Sequence, residues 1–224
     1  MVNFWGYQID SRLLFWTLIG LTVAIIIKIS LKKSRQLEYI RNYEFNPNIQ
    51  NRLSKKYPDL TDNQISQVLQ GLQNYFAIYH KTGRKIVAIP SLIADDAWCE
   101  FTLLTRSYWQ FCRNAFGRFL HHTPIKIMIA TNHANIGIKD AWRLACIQEQ
   151  INPQNPVALP SLFQLDVQLG IQDGFVYRLS SPLDKKARCN CENSFIYNLY
   201  CEYADKQYCI EDIGRACKGE CIGC

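Results

Sequence analysis

Thiols, imidazoles and carboxylates crowd one stretch of this chain, Ala94–Pro124, which reads ADDAWCEFTLLTRSYWQFCRNAFGRFLHHTP. It carries Cys99, Cys112, the adjacent His121 and His122, and the adjacent Asp95 and Asp96. Side chains of these types hold zinc and other transition metals. The candidate ligand set is Asp96, Cys99, Cys112 and His122. Backbone geometry constrains it. If Ser91 to Phe116 is one unbroken helix, Cys99 and Cys112 stand about 20 Å apart at ~1.5 Å rise per residue and cannot share an ion. A break at Thr105-Arg106-Ser107, with Thr105 or Ser107 capping a second segment, lets them converge. Two other readings stay open. Both cysteines are small core hydrophobes, as free cysteines often are, with His121 and His122 a polar corner and the aspartates complementing the positive helix end. Or a cysteine is a nucleophile, although neither a strand-turn-helix elbow nor an activating base is evident.

A second group of cysteines fills the C-terminal segment. Seven of the ten lie between Cys189 and Cys224: Cys189, Cys191, Cys201, Cys209, Cys217, Cys221 and Cys224. Kept reduced, close thiolates take zinc or an iron–sulfur cluster. Oxidised, they staple a segment with little core, and an odd number leaves one unpaired. The spacing does not match the paired C-x2-C knuckles of a zinc ribbon. The tyrosines around Tyr197–Tyr208 give this segment some apolar content and suggest one short helix.

The redox compartment follows from the N-terminus. Leu13 to Ile27 is uncharged and almost wholly apolar, and with Lys28 snorkelling the span reaches Leu31, close to the ~20 residues that cross a bilayer. Trp5, Tyr7 and Trp16 sit at one end, where amphipathic rings favour the interface. A cleaved signal peptide fits poorly, because Asp10 precedes the apolar run and no small-residue cleavage site follows. Lys28, Lys32, Lys33 and Arg35 flank the C-terminal side against Arg12 alone. The positive-inside rule then puts the N-terminus outside and the remainder in the cytoplasm, which favours thiols or metal in the tail. The formal charge of +6 is equally local: residues 28–56 carry eight Lys/Arg and two acids, and the rest of the chain is balanced. Such placement points to a membrane surface and away from nucleic acid, whose binders spread a basic stripe over the folded domain.

The elements that must position the ligands read as helices. Residues 36–60 look like a polar connector with room for one short helix. Thr61 and Gln64 form a capping box, followed by Ile65, Val68, Leu69, Leu72, Phe76 and Tyr79 at helical spacing and a stop at Gly83. His80 near that end is a surface or capping histidine. Ser91 caps the central helix, and Gly117 stops it. Further helices are expected at Ile125–His133, at Lys139–Glu149 and after Ser161 as a cap, with a short strand at Phe175–Leu179. The fold class is mainly α: a short segment 1–12, a transmembrane helix 13–31, a basic connector 32–60, a helical domain 61–180 and a Cys-rich, loop-rich tail 181–224.

The pattern D-x-x-W, T-R-x-Y, F-C and F-G-R-F-L-H-H-T-P, continuing through AWRLACIQEQINP and LPSLFQLDVQLGIQDGF, resembles a family of uncharacterised bacterial membrane-anchored proteins distantly similar to plant glycine-rich-domain proteins. The resemblance covers roughly residues 61–178 and implies a fold and a motif, with no established activity. Where that family has a histidine after the tryptophan, this chain has Cys99. Histidine and cysteine share metal ligation more than any other role, whereas a general base would not survive the exchange. The departure therefore favours ligation.

No phosphate-binding glycine loop, Ser/His/Asp arrangement or H-E-x-x-H occurs, which speaks against the commonest enzyme chemistries. The sequence reads as a single-pass protein of a bacterial inner membrane, a binding or scaffolding module with zinc or an iron–sulfur cluster as the candidate cofactor. Its partners are the lipid bilayer and another membrane protein. A thiol- or metal-dependent enzyme and a metal-free interaction module are the alternatives.

Overall fold

The computed structural model describes residues 2–4, 7–9, 11–83, 87–125, 134–153, 156–179, 199–203 and 206–209. These form strands β1 (Val2–Phe4) and β2 (Tyr7–Ile9), then helices α1 (Ser11–Arg41), α2 (Pro47–Lys56), α3 (Asp62–Thr82), α4 (Leu92–Leu103) and α5 (Thr105–Phe116). Helices α6 (Ala134–Gln148) and α7 (Ser161–Gln168) follow, then strands β3 (Val176–Leu179), β4 (Leu199–Tyr203) and β5 (Lys206–Cys209). The chain is mainly α, as its periodicity predicts.

Helix α1 has 31 residues and is about 46 Å long at 1.5 Å per residue, against a bilayer core of about 30 Å. It is exposed on every side from Leu13 to Leu31, and among the described residues it alone is long and apolar enough to cross a membrane. Its last two turns enter a different environment. Leu37 and Tyr39 are half-buried and Ile40 is fully buried. The Gln73 amide is aimed at the carbonyls of Ile40, Arg41 and Tyr43 at 2.8, 2.8 and 3.1 Å; the first two are acceptors that a helix end leaves without intrahelical partners. Helix α2 starts at Pro47 behind Asn46, whose side chain accepts from the Asn48 N–H at 2.9 Å. Ile49 and Leu53, four residues apart, are fully buried. The stretch read as a polar connector thus places Ile40, Ile49 and Leu53 in the core. Three apolar anchors spread over two helices are too few to show as a periodic run.

Helix α3 is the centre of the domain and packs against α1, α2, α4, α6 and α7. Its capping box at Thr61 and Gln64 is formed as expected. Phe76 stands between Trp98 of α4 and Phe111 of α5, with ring centroids 5.4 and 4.9 Å away. Helix α6 lies so close to the Val87–Ile89 link that a Cβ at Gly137 would fall 2.5 Å from the Ala88 backbone nitrogen. Helix α7 departs from expectation at its start. Pro160 is the cap residue, and Ser161 is already inside the helix. The Glu149 carboxylate accepts both the Ser161 N–H (3.0 Å) and its hydroxyl (2.6 Å).

Strands β1 and β2 pair antiparallel, and β3, β4 and β5 form an antiparallel sheet in that order. The tail segment expected to hold a short helix supplies β4, in which Cys201 lies opposite Tyr177 on one side and Tyr208 on the other. Tyrosine suits a pleated surface better than a helix. Cys209 ends β5. Cys189, Cys191, Cys217, Cys221 and Cys224 lie outside the described residues, as does the expected helix Ile125–His133 beyond its first residue.

Candidate metal centre

The site is built from the start of α4, the break between α4 and α5, and the loop after α5. Ser91 caps α4 by accepting the Ala94 N–H at 3.2 Å. Its hydroxyl donates to Asp166 of α7 at 2.6 Å. The Asp166 carboxylate also accepts the N–H groups of Leu92 (2.7 Å), Ile93 (3.3 Å) and Phe175 (2.8 Å). Asp166 is only 3% exposed. Burial pushes its carboxyl up, while these four hydrogen bonds pull it down. One carboxylate therefore ties the α4 N-terminus, where negative charge is welcome, to α7 and to the entry of β3.

Leu104 leaves helical geometry, with φ −84° and ψ 62°, and α5 begins at Thr105 without a side-chain cap. The break falls one residue before the expected Thr105–Ser107 stretch, and neither hydroxyl caps it. The Leu104 N–H closes onto the Phe101 carbonyl at 3.1 Å, a tightened last turn. Thr102 donates its hydroxyl to the Cys99 carbonyl at 2.6 Å. Helix α5 ends at Gly117 in the left-handed region, φ 69°, which glycine occupies without a Cβ penalty. The chain then runs back over α4. The Tyr108 hydroxyl donates to the Leu120 carbonyl at 2.5 Å and accepts from the Trp98 indole at 3.0 Å. Asp95 Oδ2 accepts the Ile125 N–H at 3.1 Å. Between these two anchors His122 is laid on Trp98, ring centroids 4.2 Å apart.

The result is a three-residue cluster. His122 Nε2 is 2.9 Å from Asp95 Oδ1, and His122 Nδ1 is 3.6 Å from Cys99 Sγ. One potential ligand atom from each residue lies within 4.8 Å of the others. The His122 and Asp95 side chains are 7% and 4% exposed, while Cys99 is half-buried. Asp95 and Cys99 are four apart and share a helix face. The Cys99 thiol is pushed up to about 11, first by burial and then by Asp95 and Asp96, with Lys56 opposing.

Two expected ligands go elsewhere. Asp96 accepts from the Tyr57 hydroxyl and pairs with Lys56 at 2.9 Å. Together with Arg52–Glu100 at 2.5 Å, it fastens α2 to α4. Cys112 is fully buried beside Tyr108 and Leu120, and burial raises its thiol. His121 is exposed, with its ring 5.0 Å from Phe119. His80 is half-buried and sits 3.3 Å from the Gln36 amide oxygen. Asp95 is the residue that the candidate set lacks. The signal was present: the D-x-x-W pattern aligns on Asp95, and Asp95 to Cys99 is an i, i+4 pair.

One edge of the cluster has the spacing of a tetrahedral metal site. With Zn–S of about 2.3 Å and Zn–N of about 2.0–2.1 Å, a tetrahedral site has an S···N edge of about 3.6 Å. Cys99 Sγ and His122 Nδ1 already stand 3.6 Å apart. An ion on Nδ1 leaves the Nε2 proton for Asp95, the carboxylate–histidine pairing that fixes tautomer and ring orientation in metal sites.

No curated protein and no solved structure matches the chain. A family model described as UCP032817-like matches residues 35–220, a region that begins near the end of α1 and contains the whole cluster. The chain belongs to this UCP032817-like family.

Proposed function

We propose that the chain is a single-pass protein of a bacterial inner membrane, N-terminus outside, whose cytoplasmic helical domain is a binding module built on a divalent transition metal, zinc first. Cys99 Sγ and His122 Nδ1 are the ligands, Asp95 holds the Nε2 proton and orients the ring from its other side, and the remaining positions are left to water or an incoming group. The convergence of thiol, imidazole and carboxylate in a mostly buried cluster carries this reading. The apolar α1 and the basic residues on its C-terminal flank support the anchor and its orientation.

A second reading has one observation in its favour: Cys99 and Asp95 occupy opposite nitrogens of His122, the order of a nucleophile, base and orienting acid. The electrostatics favour metal. A catalytic thiol sits in electropositive surroundings that lower its pKa. Burial first, then Asp95, Asp96 and Glu100 against Lys56, instead hold the proton on Cys99. A divalent cation relieves that repulsion.

Elemental analysis of the detergent-solubilised full chain tests the proposal, with the seven tail cysteines replaced by serine to isolate the cluster. The expectation is close to one zinc per chain, lost in Cys99→Ala and in His122→Ala and kept in Cys112→Ala. Undiminished zinc in Cys99→Ala removes the cluster from the account. Rapid, single-site alkylation of Cys99 in metal-free protein at neutral pH would favour the nucleophile.

A further inference from the structure

The C-terminal end of α5 lies against α1 at the level where the apolar span gives way to basic residues. Between the two helices runs an open groove of about 930 Å³. One end is lined by Ala24, Ile27 and Leu31 of α1. The other carries Lys32 and Arg35 of α1 and Arg113 of α5, and a fourth cation, Lys28, stands between Ile27 and Leu31 within the apolar part. Positions 24, 27, 28, 31 and 35 recur at helical spacing, so the apolar and basic parts form one continuous stripe along α1.

Three features keep the basic end open to a ligand. No carboxylate among the described residues forms an ion pair with any of the four cations. Arg113 is held over the Trp109 ring, 5.1 Å from its centroid, which positions the guanidinium without neutralising it. Gly117 contributes no side chain where a Cβ would stand 3.6 Å from Gln36 Nε2 and 3.9 Å from Lys32 Nζ. The polarity of the groove runs in the direction of a leaflet lipid: apolar towards the bilayer centre, cationic at the cytoplasmic surface.

We propose that this groove is a binding site for one anionic phospholipid of the cytoplasmic leaflet. Its phosphate and headgroup sit among Lys32, Arg35 and Arg113, and an acyl chain lies along Ala24, Ile27 and Leu31. The proposal rests on the reading of α1 as the membrane anchor. It gives the short approach of α5 to α1 a purpose: the lipid bridges anchor and domain, and fixes how the domain is held against the membrane.

The test is native mass spectrometry of the full chain released from mixed phosphatidylcholine and phosphatidylglycerol micelles. One phosphatidylglycerol is expected to stay on each chain in preference to phosphatidylcholine. The variant K32Q/R35Q/R113Q should lower that retention at least tenfold. The variant K33Q/R41Q/K55Q, with the same charge change away from the groove, should stay within twofold of the parent. Ala24→Trp, at an exposed position, fills the apolar end without touching charge and should also lower retention. Equal losses in the two triple variants would show diffuse surface attraction and overturn the site, as would equal retention of the two lipids. Full displacement by millimolar inorganic phosphate would reassign the groove to a soluble anion. Flotation with phosphatidylcholine liposomes separates the two levels. A chain that fails to float refutes the anchor, whereas one that floats without selecting phosphatidylglycerol refutes the groove alone.

Discussion

Removing the Asp166 carboxylate should loosen the scaffold beneath the Asp95–Cys99–His122 cluster, and two substitutions should do so by different amounts. In Asp166→Ala the N–H groups of Leu92, Ile93 and Phe175 lose their acceptor inside the domain. The Ser91 hydroxyl can turn to another partner. Each orphaned buried donor costs about 1–3 kcal/mol, and relaxation with water entry at the α4 N-terminus recovers part of this, so about 3–5 kcal/mol is expected. Asp166→Asn has an escape. Its carbonyl oxygen can take the place of Oδ2 and keep Leu92 and Phe175, while its NH₂ donates to Ser91 Oγ. Only the 3.3 Å bond from Ile93 and the favourable charge at the helix end are then lost, for about 1–2 kcal/mol. Thermal unfolding of the full chain in detergent, followed by circular dichroism, reads the difference. At about 2–4 °C per kcal/mol for a chain of this size, the alanine variant should melt roughly 6–20 °C lower and the asparagine variant roughly 2–8 °C lower. An alanine variant within 2 °C of the parent would mean that Asp166 does not hold α4. An asparagine variant as damaged as alanine would refute the reasoning about which donors it serves.

Tyr108→Phe deletes the hydroxyl that accepts from Trp98 and donates to Leu120; a loss of about 1–3 kcal/mol is expected. Because that bridge seats the loop carrying His122, zinc affinity should fall as well, by isothermal titration, and unchanged affinity would show that the loop needs no such anchor. Zinc binding must strip the proton from a Cys99 thiol whose pKa is pushed up to about 11. Below that value the thiol is protonated in the free protein, so apparent affinity should climb about tenfold per pH unit between pH 7 and 9. Cys99→His should still bind zinc with a much flatter pH profile, and a flat profile in the parent would remove the thiolate from the site.

Local chemistry carried much of this fold in plain sight. The Thr61–Gln64 capping box, the Ser91 cap and the stops at Gly83 and Gly117 depend on residues within one turn of each other. What stayed hidden depends on partners far away in sequence. Glu149, not Ser161, serves the start of α7, and Asp166 reaches back 75 residues to Ser91. The buried α2 shows only two apolar residues, Ile49 and Leu53, so its burial is decided by α3 and α4 packing over it. The choice between Asp95 and Asp96 is of the same kind. Both aspartates sit within a turn of Cys99, about 100° apart around the helix. The loop after Gly117 returns on the Asp95 side, whereas Tyr57 and Lys56 take the Asp96 side. Cys99 and His122 were recognisable as partners by type, but Cys112 could not be set aside until α5 was seen to bury it.

The central claim is that Cys99 and His122 hold a metal ion between them, and a cobalt titration of the metal-free full chain with its tail cysteines changed to serine tests it most directly. The account predicts saturation at one Co²⁺ per chain, with a thiolate-to-cobalt charge-transfer band and the intense visible absorption of a tetrahedral site. Cys99→His should keep the visible absorption and lose the charge-transfer band. A protein that takes up no cobalt, or whose charge-transfer band survives Cys99→His, would contradict the account.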